Sequence, residues 1–244
     1  MKKVSLALVL AMVLVTLTNA FVFASPNEAT IYVVHGINGK DLGLTDSALP
    51  VDISVNGACA IKDFTYGNVL GPIKMAPGSA TLAVYLHTPA GCEGTPVIGP
   101  VSPSFVGDHT YAIVARPSVD SAGALAGVSA SVYDLNVSRT GPGKSRFAAY
   151  HDAVAPAVDV HIARNPMNSR TPTYVFKNVS NPEGGAISLR PGNWFAWLTL
   201  PGKSAPVFGP IKLQFRPYSA YFVFVTGSLT NGLKPIVIVV PGLK

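Results

Sequence analysis

The chain has 244 residues, with 48% hydrophobic and only 12% charged side chains and a formal net charge of +6. Its cations are scattered: Lys40, Arg116, Lys144, Arg164 and Arg216 form no run, which argues against a nucleic-acid partner, because such a partner needs a clustered basic face. With 21 Pro and 23 Gly between short runs of Val, Ile, Tyr and Phe, long helices are also excluded, and short strands at regular spacing are expected.

Residues 1–24 read as a secretory signal peptide. Lys2 and Lys3 precede an apolar stretch from Val4 to Val15, and Val22-Phe23-Ala24 offers small residues for cleavage before Ser25. Thr16, Thr18 and Asn19 break the apolar run well short of the roughly 20 residues that a membrane span needs. The sequence therefore implies a secreted or cell-envelope protein without a retained span. The mature part suits two domains of about 110 residues, each large enough to bury a core.

In chain order, strands are predicted at Thr30 to His35, Val51 to Val55, Ala80 to Leu86, Tyr111 to Ala115 and Gly127 to Leu135. After a Gly/Pro-rich linker, Ser138 to Lys144, a second set follows at Arg146 to Tyr150, Val158 to Ile162, Trp194 to Leu200, Tyr221 to Val225 and Pro235 to Val240. Cys59 and Cys92 both lie in the first set. In an exported chain such a pair is expected as a disulfide that staples loops.

The two sets are copies. Pro96, Gly99, Pro100, Phe105 and Tyr111 recur at constant offset as Pro206, Gly209, Pro210, Phe215 and Tyr221. Pro77-Gly78 matches Pro191-Gly192, ALPVDISV matches APAVDVHI, and His35 matches His151. A tandem duplication follows, with two all-β sandwich domains of Ig-like or prealbumin-like type at 26–138 and 145–241. Tyr111 and Tyr221, each soon after a turn, fit the structural role of a tyrosine corner.

Strand alternation assigns the faces. Ala80, Leu82 and Val84 point inward, and so do Trp194, Ala196 and Leu198. The opposite face then carries Phe195 and Trp197 in the second copy, where the first has Thr81 and Ala83. Likewise Phe222 and Phe224 stand where the first copy has Ala112 and Val114. These four aromatics are the candidate binding residues. Packing against the other domain, an interface with a protein partner, and a platform for stacking sugar rings are the three readings of such a face.

His35 with Asp52 and His151 with Asp159 are the recurring polar pairs, expected at the same end of adjacent segments and read as structural hydrogen bonding that closes a loop. A metal reading would use His151, Asp152, Asp159 and His161, but Ser54 replaces His161 in the first copy. Catalysis lacks a nucleophile: there is no G-x-S-x-G elbow. No metal, no cofactor and no enzymatic activity are expected. Asn136-Val137-Ser138 and Asn178-Val179-Ser180 match the glycosylation pattern.

The succession Val33-Val34-His35, Pro50-Val51-Asp52-Ile53, Pro77-Gly78 and Gly107 to Tyr111 resembles the DUF4397 family of exported domains. Ala149-Tyr150-His151, Pro156 to Val160, Pro191-Gly192 and Tyr221 repeat it. The first loop, Gly36 to Leu49, departs from the family's compact connection, and the second copy lacks the glycine before Tyr221. The resemblance implies fold and export and leaves the activity open. The functional expectation is a non-enzymatic interaction module of the cell exterior with a protein or cell-surface partner, such as a surface-assembly or adhesion component. A carbohydrate-binding module is the alternative, and a metal-dependent enzyme the third.

Overall fold

The computed structural model describes residues 27–165 and 173–243; the expected signal peptide lies outside them. It is almost entirely β. The first ten strands are β1 (Ala29–His35), β2 (Val51–Val55), β3 (Ala58–Phe64), β4 (Val69–Met75), β5 (Gly78–Ser79), β6 (Leu82–Leu86), β7 (Ile98–Val101), β8 (Ser104–Phe105), β9 (Thr110–Val119) and β10 (Leu125–Asp134). The next eight are β11 (Ser145–His151), β12 (Val158–Ala163), β13 (Thr173–Val179), β14 (Gly184–Leu189), β15 (Gly192–Thr199), β16 (Pro206–Phe215), β17 (Ser219–Ser228) and β18 (Gly232–Pro241). Sequence reading misses β3, β4, β13 and β14 in particular. These edge strands are mostly exposed, so the apolar alternation that marks a half-buried strand is faint in them.

Four four-stranded sheets run β10-β9-β1-β4, β3-β2-β6-β7, β14-β11-β17-β18 and β13-β12-β15-β16. No sheet takes strands from both halves of the chain, and the second half repeats the strand order of the first. In each half the first strand pairs in parallel with the penultimate one, β1 with β9 and β11 with β17. This places β1 with β4 and β9 rather than with β2, so the order departs from the immunoglobulin ABED and CFG sheets, and the Ig-like part of the expectation is not met.

Within each half the two sheets face one another across an apolar core. Alternation along β1 and β9 sends Ile31, Tyr111 and Ile113 into the first core, and along β11 and β17 it sends Phe147, Tyr221 and Val223 into the second. The outward residues of the same strands make a third core between the halves. Tyr32, Val34, Ala112 and Val114 from the first half pack there with Ala148, Phe222, Phe224, Ile236 and Ile238 from the second. Phe222 and Phe224 on one sheet thus meet Val34, Ala112 and Val114 together with the rings of Tyr32 and Tyr133 on the other, and each phenylalanine ring removes on the order of 150–250 Å² from water.

Polar contacts border this junction. Arg116 donates to Asn181 Oδ1 at 2.6 Å, and Ser228 and Asn231 donate to Asp41 at 2.6 and 2.8 Å. The carboxylate of Asp152 is fully buried and accepts from the Tyr133 hydroxyl at 2.6 Å. Burial pushes its pKa up to about 7, against the opposing pull of Tyr133 and Arg116.

Candidate functional site

The repeated polar residues serve the backbone. His35 Nε2 donates to the Leu49 carbonyl at 2.8 Å, while its Nδ1 accepts from Ile37 N–H at 3.3 Å. His151 does the same with the Pro156 carbonyl at 3.0 Å and Ala153 N–H at 3.3 Å. Both rings are therefore neutral. Burial holds the pKa of His35 down at about 4 and lowers that of His151. The aspartates act elsewhere: Asp52 Oδ1 accepts from Asp63 N–H at 2.9 Å and Asp159 Oδ1 from Asn178 N–H at 2.8 Å.

Asp63 and Asn178 have φ of 52° and 53° and sit at bulges in β3 and β13. Each aspartate thus secures a left-handed residue in the neighbouring strand. Histidine and aspartate are not bonded to each other; the expected pair resolves into two separate clamps. The two tyrosines likewise repeat one geometry, with Tyr111 Oη accepting from Val106 N–H at 3.2 Å and Tyr221 Oη from Arg216 N–H at 2.9 Å.

The residues of the metal reading are engaged one by one. His151 and Asp159 hold backbone, Asp152 faces Tyr133, and His161 Nε2 meets Thr199 Oγ1 at 3.0 Å. Among the described residues no group of three or more His, Cys, Asp or Glu side chains is placed to hold a metal ion.

The four candidate aromatics separate into two pairs. Phe222 and Phe224 are 1% and 0% exposed in the core between the halves, so no ligand reaches them and they are corrected from binding to packing residues. Phe195 and Trp197 lie on the outer face of β15, half-buried. Their inward neighbours Trp194, Ala196 and Leu198 are buried, which is the alternation that turns the other two outward. Trp197 lies opposite His161 of β12, their rings stacked at 5.1 Å and 7°. Burial lowers the pKa of His161 against the pull of Asp159.

The same face in the first half is closed over its middle, although Thr81, the counterpart of Phe195, stays exposed. Asp52, Ser54 and Ala83, equivalent in register to Asp159, His161 and Trp197, are all buried. The segment between β6 and β7 folds over them. His87 Nδ1 donates to Asp52 at 2.8 Å and Thr88 N–H to its other oxygen at 3.3 Å. Burial pushes the Asp52 pKa up, but these hydrogen bonds and that from Asp63 outweigh it and hold the carboxyl below its ordinary value. Cys92 then bonds to Cys59 of β3, with Cα atoms 5.4 Å apart, and Gly91 is seated close to Cys59 Sγ. In the second half the corresponding connection, 200–205, is a short turn. Sequence reading also took the positive charge as scattered. The fold gathers Lys144, Arg164 and Arg190 around a recess of about 370 Å³ beside Tyr174 and Trp194, with the Arg164 guanidinium 4.9 Å over the Trp194 ring.

The family model described as "Domain of unknown function (DUF4397)" matches residues 25–161, more than half of the chain. The chain belongs to the DUF4397 family. The DUF4397 match takes in the whole first sandwich and reaches β12, including His35, Asp52, His151 and Asp159. No curated protein matches the chain. Among solved structures, a Bacteroides ovatus ATCC 8483 protein provisionally named a cell adhesion protein aligns at 9% identity and a TM-score of 0.30, over 91% of this chain and 99% of that one. A leucine-rich repeat protein from Bacteroides thetaiotaomicron VPI-5482 aligns at 11% identity and a TM-score of 0.23, over 91% of this DUF4397 chain and 27% of its own.

Proposed function

We propose that the protein is a non-enzymatic interaction module of the cell exterior that engages a protein or surface partner through the outer face of β12 and β15. One observation carries this reading: among the described residues no segment roofs the face bearing Phe195, Trp197 and His161, which stay partly exposed, whereas Asp52, Ser54 and Ala83 of its twin are covered beside a disulfide-pinned segment. Partly exposed aromatics on a sheet face are the kind of surface that a partner desolvates. Export is supported by the disulfide, which belongs in an oxidising compartment. Among the described residues no helix is long and apolar enough to cross a membrane.

A photo-crosslinking side chain placed at Phe195 is expected to yield a discrete adduct on intact cells, while the same side chain at Ala83, under the roof, yields none. Equal labelling from both positions would refute the proposal. A second reading, a carbohydrate-binding module, is favoured by two neighbouring aromatic rings, Phe195 and Trp197, on one open strand face. A saturable change in tryptophan fluorescence with a glycan, lost in Trp197→Ala, would replace the first reading with this one.

A further inference from the structure

The interiors of the two sandwiches differ as much as their faces. Between the sheets of the first lies a cavity of about 350 Å³ walled by Ile31, Val33, Ile53, Leu82 and Ile113 and reaching the edges of β3 and β4 at Ile61, Leu70 and Met75. A second cavity of about 390 Å³ adjoins it, and Val84, Ile98 and Ala115 line both. The second is lined on one side by Ile37, Leu42, Leu44 and Leu49 of the long first loop. The corresponding space in the second sandwich is about 20 Å³.

The cause is residue by residue. Register equates Ile31 with Phe147, Ile61 with Phe176 and Leu70 with Gly185. Phe176 stacks on Phe147 at 6.3 Å and 14°, and it lies so close over Gly185 that a Cβ there would come within 2.6 Å of the ring. Phenylalanine over glycine plugs one sandwich; isoleucine beside leucine leaves the other open.

From this we infer that the first sandwich binds one unbranched acyl or alkyl chain, threaded through both cavities past the waist formed by Val84, Ile98 and Ala115. The lining is aliphatic almost throughout, and the one polar side chain in it, His35, has both ring nitrogens engaged. Water needs two to four polar partners to fill such a space and finds none, so the occupant is apolar. The volumes are those of ligand sites, and two adjoining chambers that share Val84, Ile98 and Ala115 as walls suit a linear chain better than a compact body. Leu44, Leu86 and Val97 are 49%, 52% and 41% exposed around the outer chamber. They form an apolar rim at which the chain enters and beyond which its polar end stays in water.

The probe is a dansyl-labelled undecanoic acid added to the purified mature protein. Saturable fluorescence enhancement is expected, reversed by dodecanoic acid but not by adamantane carboxylic acid, which is apolar and compact. Dodecyl lysophosphatidylcholine is the arm that separates sources: competition by it points to a phospholipid chain, and competition by the fatty acid alone points to a free acid. The double substitution Ile61→Phe with Leu70→Gly imports the plug of the second sandwich. It is expected to weaken probe binding at least tenfold while the melting temperature holds or rises. Leu44→Ser, at an exposed rim position, is expected to weaken binding several-fold without a change in melting. Absence of saturable enhancement, equal competition by the adamantane acid, unchanged affinity in a folded double variant, or a peptide rather than a lipid found in the protein by native mass spectrometry would each overturn the inference.

Discussion

The two sandwiches share strand order, two backbone clamps and a tyrosine geometry, yet differ wherever a side chain or a loop length was free to change. The first is roofed outside by the Cys59–Cys92 segment and hollow within; the second, among the described residues, has no such roof and is filled within. Duplicated framework thus reports what the fold requires, and the differences report what each copy was free to do. At roughly 24 cal/mol per Å³, leaving the first cavity of about 350 Å³ empty would cost up to about 8 kcal/mol. That is comparable with the whole stability of a domain. The second sandwich meets no such cost, because Phe147 and Phe176 occupy the equivalent space.

The sharpest way to break the comparison is to cut the halves apart. Phe224→Ala removes a fully buried ring from the shared core and is expected to cost about 3–5 kcal/mol. In denaturant titration it should convert one cooperative transition into two. A single transition at the wild-type midpoint would show that the halves do not depend on this core.

Replacing both cysteines by serine should cost about 3–4 kcal/mol in the chain-entropy model, with the loss confined to the first sandwich. Hydrogen exchange should then rise at β2 and β6, whose outer face loses its roof, and stay unchanged at β12 and β15. Uniform loosening of both halves would mean that the disulfide does more than hold the roof down.

Asp152→Asn tests the junction by pH. The folded pKa of Asp152 is raised to about 7, so the stability associated with its protonated form is present below the unfolded value near 4 and is lost as pH rises through 7. The variant should therefore melt higher than the parent at pH 8, by an amount on the order of 1–3 kcal/mol, and gain much less at pH 5. The same gain at both pH values would count against the buried carboxyl as its cause.

The smallest effect is expected at the open face. Trp197→Ala removes a half-buried ring stacked on His161 and should change stability by only about 1 kcal/mol, in contrast to Trp194→Ala. Trp194 is 5% exposed and donates its indole N–H to the Arg190 carbonyl at 2.9 Å. A loss of several kcal/mol at Trp197 in thermal melts would make the open face a structural one.

The candidate site was legible only in part. Strand alternation sufficed to send Phe195 and Trp197 outward and Trp194 inward, because that choice is local. Alternation also sent Phe222 and Phe224 out of their own core, but it could not say that another sheet waited there. The His and Asp signals were visible as repeated letters, whereas their partners, the carbonyls of Leu49 and Pro156 and the amides of Asp63 and Asn178, carry no side-chain signature. Lys144 and Arg164 looked dispersed because they, and Arg190 beside them in the fold, belong to three separate segments that the sheet edges bring together.

By itself, the sequence determined the all-β class, the duplication, the repeated turn before each Tyr and the presence of one cysteine pair. These follow from short-range periodicity, from turn residues and from identity between the copies. Gly99 and Gly209 show the limit of such reading. They are visible as a repeated Gly-Pro, yet only the paired strand reveals that a Cβ at either, with φ of 88° and 84°, would come within 2.7 Å of the Leu82 or Ala196 carbonyl. Tertiary structure alone decided which outer face is open, which interior is hollow and where the two halves meet. Each of those depends on distant segments occupying or vacating one volume, and a one-dimensional pattern records the size of each side chain but not what lies across from it.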